Sequence, residues 1–185
     1  MIHRILPILT AIALLLSSRA DAVAQAKGTA DNPREITPPY GLSWGETSDR
    51  LERLLLGAKA KIVAKRDLGK DREAWDVEGL LQTGLKRSVF YFQKGELVQV
   101  ELQYQNEDWS PTKYDDFMGK VRRSIEQKYG AGQQIIRKTE PEGHVMQTIV
   151  GYKWNVNNTA LELYYYAAEN DQNVFRTLSV HYKVN

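Results

Sequence analysis

The chain has 185 residues, 42% of them hydrophobic, which suffices for one apolar core or two small joined ones. Its 25 lysines and arginines nearly balance 23 aspartates and glutamates, so no large basic surface points to nucleic acid or an anionic membrane. Cysteine is absent, which excludes disulfides, thiolate chemistry, cysteine metal sites and a lipid-modified N-terminal cysteine.

Residues 1–22 have the layout of a secretory signal peptide. Arg4 precedes an apolar run from Ile5 to Leu16, and small residues flank two candidate cleavage points, after Ala22 and after Ala26. The run is too short for a membrane span, which needs about 20 residues. The expected mature protein is therefore periplasmic or secreted, with no integral membrane segment left after cleavage. Loss of Arg4, Arg19 and Asp21 leaves the mature chain close to neutral.

Residues 23–39 are polar, carry three prolines and show no apolar period, so a flexible leader is expected there. Folding should begin near Tyr40. In "GLSWGETSDRLERLL", Leu42 and Trp44 share one side of a short extended segment, and Gly45 permits a turn into a helix. Thr47 or Ser48 can cap that helix, Asp49 suits its first turn, and Leu51, Leu54 and Leu55 fall at helical spacing. Gly57 is placed to end it. Trp44 is best explained as an apolar plug at the helix entrance.

Four strand-like segments follow. Ile62 to Leu68 is the faintest. Lys59, Lys61, Lys65, Arg66 and Lys70 lie in or around it, interrupted by acids, and read as a solvated strand face. Trp75, Val77, Gly79 and Leu81 alternate with other residues in the next segment. "RSVFYFQKGELVQVELQY" is a hairpin turned at Lys94-Gly95. Ser110 and Pro111 then open a longer helix whose apolar stripe is Tyr114, Phe117, Met118, Val121 and Ile125, stopped by Gly130. Strands resume at Gln134 to Lys138, His144 to Val156, Thr159 to Tyr166 and Asn173 to Val184, with Asn157-Asn158 as a turn.

The predicted fold class is α+β: antiparallel sheet with one helix packed on it per half. Residues 40–185 form one domain whose halves, about 40–108 and 109–185, share the order helix plus four strands, consistent with a tandem duplication.

Sequence motifs for chemistry are lacking. No nucleophile elbow, phosphate loop, dinucleotide fingerprint or calcium loop occurs, so no catalytic, cofactor-binding or metal residue is assigned. His144 and His181 show no metal-ligand spacing and are expected to be exposed and non-catalytic. A hydrolase built from carboxylates and a histidine distant in sequence stays open as a minor alternative. Aromatic residues mark the candidate partner or ligand surface: Trp75, Trp154, Tyr164 and Tyr166. Two functions follow from that surface. One is a non-catalytic binding protein of the bacterial envelope whose partner is another envelope or extracellular protein. The other is a module that binds glycans or small apolar ligands.

The helix-plus-four-strand order, with the glycine-then-helix opening "GLSWGETSDRLERLL", resembles two groups. These are the exported tandem β-lactamase inhibitor proteins and the small lipoproteins of outer-membrane barrel assembly. The resemblance is architectural, spans about residues 40–185 and carries over no partner. Such inhibitors use disulfides and such lipoproteins an acylated cysteine, neither of which this chain can form, and no functional residue carries over.

Overall fold

A computed structural model describes residues 35–185. The expected signal peptide and residues 23–34 of the expected leader lie outside the described residues. In chain order the elements are α1 (Ser48–Gly57), β1 (Lys61–Gly69), β2 (Arg72–Glu78), β3 (Leu85–Gln93) and β4 (Glu96–Tyr104), then α2 (Pro111–Tyr129), β5 (Gln133–Glu142), β6 (Val145–Val156), β7 (Thr159–Glu169) and β8 (Val174–Val184). The order helix plus four strands therefore occurs twice, and the fold is α+β. All eight strands form one antiparallel sheet in the order β1-β2-β3-β4-β8-β7-β6-β5. Each half is a meander, and the halves join through their last strands, β4 and β8.

Local signals account for most boundaries. Lys94 and Gly95 both take positive φ (53° and 80°), the backbone that a two-residue hairpin with matching strand twist requires. The Ser110 hydroxyl accepts from the Lys113 N–H at 3.2 Å, Pro111 opens α2, and Gly130 ends it at φ 83°. Three expectations need correction. Gly57 is the last residue of α1, and the left-handed residue after it is Lys59 (φ 55°). Strand β2 stops at Glu78, and Leu81 is 99% exposed because Gly79 turns the chain away from the sheet. Packing begins before Tyr40: Ile36 is fully buried, its N–H donating to the Thr159 hydroxyl at 2.7 Å.

One face of the sheet is the core face. Register places Trp75, Phe90, Val100, Tyr182, Leu161 and Trp154 side by side across six strands. Onto this face α1 lays Leu51 and Leu55, and α2 lays Tyr114, Met118 and Ile125. Tyr114 packs on Tyr165 with ring centroids 6.1 Å apart, which fixes α2 to the second half. Burying each such side chain contributes roughly 1.5–3 kcal/mol. Trp44 is the expected plug, partly buried against the core, and its indole N–H donates to the Ile36 carbonyl at 2.7 Å.

The sheet ends in β1 and β5. Both edges are irregular and charged, β1 with Lys61, Lys65 and Arg66 and β5 with Arg137, Lys138 and Glu140, a pattern that discourages edge-to-edge pairing. The basic stretch of β1 is tied down: Lys65 reaches Glu52, and Arg66 reaches Asp76, each at 2.7 Å.

Candidate binding face

Both helices and the segment around Ile36 lie on the core side, so among the described residues the opposite face carries no helix. One position along each strand from the core row, register lines up Asp76, Val89, Glu101, His181, Glu162 and Lys153 on this second face. Three carboxylates thus sit in one row that crosses the β4–β8 seam.

Two of the three are held by pairs of cations. Asp76 accepts from Arg66 at 2.7 Å and lies 3.7 Å from Arg87. Glu162 lies 2.7 Å from the Lys183 ammonium and 3.5 Å from that of Lys153, and accepts from the Tyr164 hydroxyl at 3.2 Å. Burial opposes ionisation of Glu162, but the hydrogen bond and charge of Lys183, joined by Lys153, hold its carboxyl below the usual range.

Glu101 differs. Its oxygens accept from the Tyr91 hydroxyl at 3.0 Å and the Gln103 amide at 2.7 Å, both neutral donors. The His181 Nδ1 is 3.8 Å away, and no lysine or arginine of the described residues lies in ion-pair range of Glu101. Burial, reinforced by the Glu101 charge, pushes the Tyr91 hydroxyl up to about 12, so it stays a donor.

His181 sits between Glu101 and Glu162. Its Nε2 is 2.9 Å from the Ser179 hydroxyl, and the Tyr164 ring meets it edge-on with centroids 5.5 Å apart. Only 20% of its side chain is exposed, which corrects the expectation of a solvated histidine. Burial, aided by the Lys183 charge, lowers its pKa against the pull of Glu101 and Glu162, so the imidazole is neutral at neutral pH.

Ser179, His181 and Glu101 follow the order of a nucleophile, base and acid. Two features a hydrolase needs are missing from this arrangement. The acid is beyond hydrogen-bond reach of Nδ1, and the backbone around Ser179 is committed on both sides to the ladders with β4 and β7, leaving no pair of N–H groups for an oxyanion.

Toward β5 the same face turns apolar. Tyr164 and Tyr166 of β7 are joined by Ile136, Ile149 and Phe175 on neighbouring strands. Tyr166 and Phe175 lie 6.1 Å apart by ring centroid, and Phe175 is 45% exposed. The Tyr164 ring rests over Gly151, where an added Cβ would come within 2.7 Å of both that ring and the Ile136 methyl.

The four residues expected to form a surface do not share one. Trp75 and Trp154 are each 3% exposed and belong to the core face. Trp154 donates to the Gly130 carbonyl at 2.9 Å and fills the space beside Gly132, and Trp75 packs on Phe92 at 5.1 Å. Tyr164 and Tyr166 have the opposite strand parity and remain on the open face. Glu101, Glu162, Tyr91, Ile149 and Phe175 were missed. The alternation in "ELVQVELQY" already groups Gln99, Glu101 and Gln103 on one side, but nothing local says which strand lies next to them.

Elsewhere, His144 is exposed beside the β5–β6 turn, and among the described residues no cluster of histidine and acidic side chains is placed to hold a metal. An open cavity of about 670 Å³ at the β1–β2 and β3–β4 turns is lined by charges of both signs, among them Arg72, Glu73 and Lys94. No described helix is long and apolar enough to cross a membrane. Compared with known proteins, the chain matches no family model, no curated sequence and no solved structure.

Proposed function

We propose that the protein is an exported, non-catalytic binding protein of the bacterial cell envelope, and that it engages another protein through the helix-free face of its sheet. One observation carries this: an aromatic and aliphatic block (Ile149, Tyr164, Tyr166, Phe175) lies on that face beside a row of fixed polar groups. Protein interfaces are built this way, with aromatic residues at the desolvated centre and polar groups around them. The groups are already ordered by the sheet, which reduces the entropy lost on association. Export rests on the signal-peptide character of residues 1–22. A glycan-stacking platform is the poorer fit, since both tryptophans it would use are in the core.

The test is affinity recovery from an envelope extract with three forms of the protein. Wild type and Lys120→Glu, altered on the exposed side of α2, should recover the same specific protein. A Tyr166→Asp/Phe175→Asp variant of unchanged fold should not. Equal recovery by all three, or turnover of a substrate by the wild type, would refute the proposal.

A further inference from the structure

Of the three carboxylates in the polar row of the open face, one has no lysine or arginine of the described residues in ion-pair range. Asp76 has two arginines and Glu162 two lysines, whereas Glu101 has a phenol, an amide and an imidazole edge. Its side chain is 14% exposed, so it is largely withdrawn from water yet reachable from the open side. It also lies at the centre of the sheet, on the strand where the halves meet and three residues along the row from Lys153.

Any partner that covers this face removes the remaining water from Glu101. An apolar covering would leave an uncompensated buried charge, which is strongly unfavourable. An acidic covering would add repulsion. His181 does not supply the missing charge at neutral pH, because burial keeps it neutral. A guanidinium or ammonium fits: each carboxylate oxygen accepts one hydrogen bond from a neutral donor and can accept another from a cation reaching it from the open side.

We infer that the partner protein sets an arginine or lysine side chain beside Glu101, with its apolar residues placed on the adjoining Tyr166–Phe175 block. This rests on the open-face binding proposed above and adds the chemistry of the partner: a basic side chain next to an aromatic or aliphatic one.

Peptide display against the immobilised protein at pH 7.5 tests it. Enriched peptides should pair a basic residue with apolar ones. One such peptide should bind Glu101→Gln about tenfold more weakly, and lose about the same when its basic residue becomes norleucine. The two changes together should cost little more than either, since they remove one shared contact. Thermal unfolding of Glu101→Gln establishes that the fold is kept. Loss of binding in Tyr166→Ala but not in Glu101→Gln overturns the inference and leaves the open-face proposal standing. Enrichment of peptides without a basic residue does the same if their binding needs Tyr166. Binding that ignores both positions, or no enrichment at all, overturns both.

Discussion

Two rows of residues, one position apart, cross the same six strands. Trp75, Phe90, Val100, Tyr182, Leu161 and Trp154 form the first; Asp76, Val89, Glu101, His181, Glu162 and Lys153 form the second. The first meets two helices, and burial of apolar area stabilises it. The second meets no helix among the described residues, and apart from Val89 its side chains are held by ion pairs and hydrogen bonds, mostly to other residues of the same face. A sheet in which every strand alternates thus presents an apolar face to the helices and a polar and aromatic face on the opposite side.

The largest effect expected is on the core row. Phe90→Ala, at a fully buried position, should cost about 3–5 kcal/mol in denaturant unfolding, since the strands around it can relax only partly into the space. A cost near that of an open-face substitution would erase the distinction between the faces.

Gly151→Ala probes the open face from beneath. Its new methyl would meet the Tyr164 ring and Ile136 at 2.7 Å, so something must shift, at about 1–3 kcal/mol. The same change in a Tyr164→Ala background should cost clearly less. Equal cost in both backgrounds would mean that the ring does not rest on the glycine.

The polar row should respond to acid. His181 has a lowered pKa in the folded protein, caused first by burial and then by Lys183, with Glu101 and Glu162 opposing. As pH falls below about 6.5 the unfolded chain takes up this proton before the folded one does, so stability present at pH 7 is lost through that window. His181→Gln should flatten the decline in unfolding free energy between about pH 7 and pH 5.5. Parallel profiles for variant and wild type would show that the imidazole is not desolvated. Smallest of all, His144→Ala, in an exposed turn, should change stability by less than about 1 kcal/mol in the same assay.

Much of this architecture was legible locally. The Lys94-Gly95 hairpin, the Ser110-Pro111 helix start and the Gly130 stop each follow from backbone conformations that few residues tolerate. Ile36 was not legible, because it is anchored by Thr159, 123 positions further along the chain, as well as by the nearby Trp44. The error over Trp75 and Trp154 has a similar origin. Each strand pattern defines two faces equally well, and an aromatic residue gives no sign of whether a helix lies over it.

By itself the sequence determined the two helices, most of the strands and their repeated order, because hydrophobic period, caps and turns act over a few residues. Only the tertiary structure decided that β4 pairs with β8, which joins two four-strand runs into one sheet. That pairing sets Glu101 opposite His181, just as the pairing of β7 with β8 sets Glu162 on its other side. Tertiary packing also chose the face the helices cover, leaving Tyr164 and Tyr166 outside. The reason is physical: strand alternation is symmetric between the faces, and only contacts between residues far apart in the chain break that symmetry.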